Sequence, residues 1–219
     1  NLQPLLLRTA SGWTSVAHNG NLVNAHSLTT RLEKMGSIFQ STSDTEVIIH
    51  LIARTGEPDL VKGLTAALAQ VEGAYSLLVM NQNHLIAVRD PHGFRPLVLG
   101  RFQDSTVFAS ETTAFDLIGA TYEREVAPGE MVIVDLQGKE PNRSFFPFHE
   151  IQPKKCVFEQ VYFARPDSVV FGSGVYETRK ALGKRLALEH PVSHADMVIP
   201  VPDSGVYAAI GYSEQSNTP

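Results

Sequence analysis

The chain has 219 residues, 43% hydrophobic and 19% charged, with a formal net charge of −5. That composition supports a folded core and argues against a disordered chain. Mild acidity gives no general attraction for nucleic acid or anionic membrane, and no apolar run reaches the ~18 residues of a membrane-spanning helix. The densest basic group, Arg179, Lys180, Lys184 and Arg185, has helical spacing and reads as a solvated helix face. One cysteine, Cys156, allows no disulfide within the chain and fits a reducing compartment such as the cytoplasm.

In chain order, a short strand is expected around Trp13 to Ala17, then a polar loop over residues 18–24 and a helix from Ala25 to Lys34. Ser43 followed three residues later by Glu46, ahead of Val47, Ile48, Leu51 and Ile52, is a capping-box signature for a second helix. Pro58 suits the first turn of a third helix, which carries Leu60, Val61, Leu64, Ala67 and Leu68. From Ala74 the pattern changes to short β-prone runs: AYSLLVM, HLIAV, PLVLG, TVFAS and EMVIVDL. Turn residues separate them, which predicts antiparallel pairing, with one helix near 112–118. An Asp90–Arg95 pair is expected to brace the turn at 89–97. Prolines 141, 147 and 153 place a domain boundary near 150. Beyond it come a helix near 175–189 and then ADMVIPVPDSG, which reads as a buried strand, a tight loop and a new helix. A β-rich block followed by strand–loop–helix suggests two architectures in series.

Three short runs could carry chemistry. His18-Asn19-Gly20-Asn21 is either a plain turn or a pair of donors, the Asn19 amide and the Gly20 N–H, for the oxygen of a tetrahedral intermediate. Asp44 is either part of a helix start or a carboxylate for an ammonium group; if Ser43 and Glu46 cap the helix, Asp44 is left for a ligand. Residues 198–205 form either a proline-punctuated connection or an anion site at a helix start, with Ser204 offering a hydroxyl to phosphate or Mg²⁺. Cys156 sits in an apolar context where inert packing is the ordinary role.

In order, the runs HNGNLVN, TSDTE, VEGAYSL, AVRDPHGFRPLVLG, ASET, PGEMV, FEQVYFARPDS and IPVPDSG resemble the glutamine phosphoribosylpyrophosphate amidotransferase family. HNGN and SDTE are shared across glutamine amidotransferases with an N-terminal cysteine nucleophile; YFARPDS followed by IPVPDSG is specific to the phosphoribosyl enzymes.

The resemblance implies an α+β fold. Residues 1–150 would be most of a four-layer αββα Ntn-type glutaminase domain, and residues 151–219 the start of an α/β type I phosphoribosyltransferase domain. It implies release of ammonia from glutamine and its transfer to phosphoribosylpyrophosphate, giving 5-phosphoribosylamine at the entry to purine synthesis. Asn19 and Gly20 match the oxyanion-hole pair, and Asp44 the residue that holds glutamine's α-amino group. Tyr162, Arg165 and Asp167 fall in the segment joining the two sites, Ser204 matches a Mg²⁺–phosphoribosylpyrophosphate contact, and Cys156 matches one ligand of a [4Fe–4S] cluster that some members carry. Feedback purine nucleotides and a homo-oligomeric assembly are implied as well.

The departures are equally specific. Residue 1 is Asn, whose amide cannot act as the nucleophile. The arginine segment for glutamine's carboxylate and the acidic phosphoribosyl loop are not matched. A partial, inactive chain is therefore expected. Another glutamine amidotransferase, of the hexosamine-phosphate or asparagine synthase type, and a non-catalytic ligand-binding module are the competing readings.

Overall fold

The computed structural model describes residues 2–9 and 12–219, so Asn1 lies outside the described residues. The chain forms two compact units. The first holds residues up to Leu99 together with Arg124–Lys155; the second holds Gly100–Glu123 and Cys156–Pro219. Residues 100–123 thus group with 156–219, whereas a sequential division near 150 would place them with the first block.

The first unit is built on a six-stranded sheet. In chain order its opening elements are β1 (Leu5–Thr9), β2 (Gly12–Leu22), α1 (Ala25–Lys34), α2 (Thr45–Thr55), α3 (Leu60–Leu68), β3 (Gly73–Met80) and β4 (His84–Arg89). The chain continues with β5 (Val98–Phe102), β6 (Ser105–Ala109), α4 (Thr113–Ile118), β7 (Thr121–Glu125), β8 (Met131–Asp135) and β9 (Arg143–Phe145). The large sheet runs β1-β2-β3-β4-β8-β9, and a three-stranded sheet runs β6-β5-β7. Every pairing described in the large sheet is antiparallel, as the turn residues predict.

Alternation decides which face is apolar. Val16, Tyr75, Leu77, Val79, Ile86, Val88, Met131 and Ile133 share a core with α1–α3 residues such as Leu32, Ile48, Ile52 and Leu64. Val16 lies opposite Val79, and Leu77 opposite Val88, so one face of three strands is continuously buried. α3 starts one residue after Asp59, whose carboxylate accepts from the Val61 and Lys62 N–H groups; Pro58 stands before the cap, not in the first turn. The turn after β4 is held from beneath by fully buried Arg89, which donates to the carbonyls of Gly93, Arg95 and Val126. Asp90, also buried, accepts from the backbone N–H groups of Tyr75, His92 and Phe94.

The second unit adds a single π-helical turn (Glu159–Phe163), β10 (Val169–Val170), β11 (Ser173–Gly174), α5 (Val175–Glu189) and α6 (Gly205–Ser216). Its helix pair is closed by two glycines. A Cβ on Gly183 would stand 1.9 Å from the Ala208 carbonyl oxygen, and one on Gly211 2.0 Å from that of Lys180. The basic group on α5 is only partly a solvated face. Arg179 is buried, with its guanidinium donating to the Gln160 and Ala164 carbonyls, while Lys180 and Lys184 both pair with Glu214.

The strand expected before α6 does not form: residues 197–200 have no regular structure. Ile199 is 77% and Val201 81% exposed. An apolar alternating run becomes a strand only when a neighbouring backbone completes its hydrogen bonds, and none of the described strands pairs with this segment.

Candidate functional site

The HNGN run is strand, not loop. β2 continues to Leu22 because its pairing with β3 continues, with His18 opposite Leu77, Asn19 opposite Ser76, Gly20 opposite Tyr75 and Leu22 opposite Gly73. Polar side chains at the end of a strand look like a loop in sequence, but the backbone ladder does not depend on them. Alternation puts Asn19 on the face away from α1–α3, and His18 and Gly20 on the helix-facing side. Gly20 has a local reason to be glycine: an added Cβ would lie 2.0 Å from the Ala74 carbonyl oxygen and 2.6 Å from His18 Nε2.

The start of α2 brings Asp44 to the end of β2. Its Oδ2 accepts from the Leu22 N–H at 2.9 Å, and its Oδ1 lies 3.6 Å from His18 Nδ1. Asp44 is therefore not left over by a capping box; it is anchored to the strand, with its side chain 27% exposed. The capping box is absent as well. The Glu46 carboxylate accepts from the Gln40 N–H, the Ser41 N–H and the Ser41 hydroxyl, and so fixes the segment before the helix. Burial raises the Glu46 pKa, but the hydrogen bonds from Gln40 and Ser41, with His50 alongside, outweigh that effect and leave it below the ordinary carboxylate value. Serine with glutamate three residues on is a local signal; the tertiary contact with residues 40–41 takes the carboxylate instead.

Asp44 lines a cleft of about 410 Å³ together with Ala25, His26, Phe39, Ser41 and Ser43. Asn19 and Gly20 do not line it. A ligand touching Asp44 and the Asn19 amide must therefore pass over the strand end at Gly20–Leu22, where Gly20 and Asn21 are exposed and Gly20 has no side chain in the way. A larger groove, about 910 Å³, runs between α3 and residues 145–149, and none of the candidate residues lines it.

In the second unit Arg165 and Asp167 form a two-point ion pair, Nε to Oδ1 at 3.1 Å and Nη2 to Oδ2 at 3.0 Å, with both side chains more than half exposed. That hydrogen bonding raises the Arg165 pKa and lowers that of Asp167. Tyr162 is exposed, its ring against Phe163. The segment is positioned by a residue that sequence reasoning passed over. Glu111 Oε2 accepts from the Arg165 N–H at 2.8 Å and the Ser168 hydroxyl at 2.6 Å, while Thr112 Oγ1 accepts from the Val169 N–H. The ASET run holds the FARPDS run; its short polar side chains were the available signal.

Ser204 stands at the N-cap of α6 with helical backbone angles and no side-chain cap bond. Gly205 N–H donates to the Val201 carbonyl and Val206 N–H to that of Asp203, so the helix start already turns two donors inward. Cys156 is a free thiol, and no three His, Cys, Asp or Glu side chains gather as a metal site among the described residues. An iron–sulfur cluster therefore does not fit the described residues on their own. Among the described residues no helix is long and apolar enough to cross a membrane.

Comparison with known proteins gives the family of the chain. A family profile described as "Glutamine amidotransferase domain" matches residues 1–117. Amidophosphoribosyltransferase 1, chloroplastic, of Arabidopsis thaliana is 50% identical over 220 residues, covering all of this chain and 38% of the relative. The amidophosphoribosyltransferase of Bacillus subtilis is 48% identical over 220 residues, covering all of this chain and 45% of the relative. The solved glutamine phosphoribosylpyrophosphate amidotransferase from B. subtilis, complexed with ADP and GMP, superposes with a TM-score of 0.93 at 48% identity, over the whole chain and 48% of that structure. The chain spans less than half the length of these relatives. Its fold is α+β, as theirs is. The chain belongs to the glutamine amidotransferase domain family and is similar over its full length to the amidophosphoribosyltransferases.

Proposed function

We propose that this chain supplies part of the glutaminase site, and the opening of the phosphoribosyl site, of an amidophosphoribosyltransferase. Glutamine's side-chain amide is attacked by a thiolate, the C–N bond breaks, and ammonia leaves. Water then releases glutamate from the thioester. The ammonia displaces pyrophosphate from C1 of phosphoribosylpyrophosphate and gives 5-phosphoribosylamine. The attacking thiolate is matched by no residue of this sequence, whose one cysteine is Cys156.

The observation that carries the reading is the anchored Asp44 carboxylate at the end of β2, one oxygen on the Leu22 N–H and the side chain open to a cleft. A carboxylate held by backbone is pre-organised to take an ammonium group, such as glutamine's α-amino group. Asn19 and Gly20 follow on the same strand and offer an amide and an N–H to the developing oxyanion. In the second unit, Tyr162 and the Arg165–Asp167 pair stand on the segment we assign to the join between glutamine and phosphoribosyl chemistry. A Mg²⁺ ion at Ser204 would rest chiefly on substrate oxygens and water, with the Ser204 hydroxyl as the chain's own contact; this suits an ion that keeps much of its hydration. The domain reading, glutaminase over 1–150 and phosphoribosyltransferase from 151, the cytoplasmic setting, the homo-oligomer and the feedback nucleotides belong to the same proposal.

The test is glutaminase kinetics on the whole gene product. Asp44→Asn is expected to raise the KM for glutamine, and Asn19→Ala to lower kcat by about 10²–10³, the usual loss for one oxyanion donor. Unchanged KM and kcat in the two variants would overturn the site. A protein of these 219 residues alone is expected to release no glutamate from glutamine.

A further inference from the structure

His18 has a buried side chain beside the proposed glutamine site, 2% exposed, and nothing above gives it a role. Its ring lies under Gly20, where a Cβ would come within 2.6 Å of Nε2. Three groups face it. Nδ1 is 3.1 Å from Thr45 Oγ1 and 3.6 Å from Asp44 Oδ1, and Nε2 is 3.4 Å from the Ala74 carbonyl oxygen. Thr45 Oγ1 in turn lies 3.4 Å from Asp44 Oδ1. The shorter contact, Nδ1 to Thr45 Oγ1, takes the ring proton; that hydroxyl then donates to Asp44 Oδ1, and the unprotonated Nε2 stands against the Ala74 carbonyl with no hydrogen bond between them. The other Asp44 oxygen already accepts from the Leu22 N–H.

We propose that His18 is a positioning residue: through Thr45 it fixes the Asp44 carboxylate at the angle that receives the α-amino group of glutamine. The inference rests on the glutaminase reading of the site. It also accounts for the order His-Asn-Gly on β2. The glycine leaves room for the ring, and the ring steers a carboxylate that arrives from another element. A carboxylate with one fixed oxygen can still pivot about that bond; a second contact on the other oxygen removes the remaining freedom.

Two ring nitrogens allow a discriminating test. The asparagine amide reaches about as far as Nδ1, and the glutamine amide about as far as Nε2. Glutaminase kinetics of the whole gene product are compared for His18→Asn, His18→Gln, Thr45→Val and Asp44→Asn. His18→Gln and Thr45→Val are expected to raise the KM for glutamine roughly 3- to 10-fold, the scale of one ordinary hydrogen bond, with kcat nearly kept. His18→Asn is expected to restore most of the parent KM. Adding His18→Gln to Asp44→Asn is expected to raise KM no further, since the relay has lost its target.

If Asp44→Asn raises KM while His18→Gln and Thr45→Val leave it unchanged, the positioning role is wrong and the site stands. If Asp44→Asn itself has no effect, the site reading fails first. A fall in kcat at unchanged KM in His18→Gln would place the ring in the chemistry and overturn the proposal. Thr45→Val leaves the His18 ring in place, so it keeps the test open should the His18 variants fold poorly.

Discussion

Two apolar runs of similar character meet different fates in this molecule. Residues 75–79 in the first unit become the middle of β3, with β2 on one side and β4 on the other. Residues 197–201 in the second unit, an apolar run interrupted by Pro200, remain irregular, with Met197, Ile199 and Val201 exposed. Pro200 removes one ladder donor from the second run, and no described strand lies alongside it to complete the remaining hydrogen bonds. The contrast extends to the units themselves. The first rests on a broad apolar interface between a sheet and three helices. The second buries Ala164, Val170 and Val175 together, with Phe115 and Ala187 also buried, and adds side-chain anchors and close backbone approach. Arg179 ties two carbonyls, Glu111 gathers the FARPDS segment, and glycines seal the α5–α6 contact.

This contrast can be broken experimentally. The largest effect is expected in the first unit, where Leu77 is fully buried: Leu77→Ala should cost about 2–5 kcal/mol through lost burial and an unfilled cavity. Hydrogen exchange should show weaker protection across β2, β3 and β4; unaltered protection would mean that the sheet does not depend on this face. In the second unit Gly211→Val should cost about 1–3 kcal/mol by forcing side-chain atoms onto the Lys180 carbonyl, even though valine replaces a residue poor in helix propensity. The readout is exchange in α5 and α6, and retained protection there would show that the helices are not held by close approach.

The smallest expected effect is a pH dependence that sharpens the role of Glu46. Its folded pKa is depressed, so the stability it contributes is present above the unfolded carboxylate value, about 4.3, and is lost as pH falls through the lower folded value. Glu46→Gln should therefore be less stable than the parent at neutral pH and approach it under acid conditions. Denaturant midpoints measured at neutral and acid pH test this, and a difference that persists in acid would assign the loss to packing rather than charge.

Most of the element types are legible in local patterning: α1 at its observed bounds, α2, α3 and α5 within a few residues, and the antiparallel β block from Ala74 to Leu136. Those follow from hydrophobic period and turn residues, which act over a few positions. The sequence also singled out Asp44, Asn19 and Gly20, through resemblance rather than spacing, since each run alone fits a turn or a helix start. Tertiary structure alone decided where the polar residues spend their hydrogen bonds. Glu46 turns to residues 40–41 rather than capping its helix, Asp44 reaches β2, and Arg179 leaves the solvent for two carbonyls. Strand status was also decided at long range, for residues 18–22 in one direction and 197–201 in the other. The physical reason is common to all of them. Apolar patterning is a property of a segment, whereas a hydrogen bond needs a partner, and here the partner lies elsewhere in the chain.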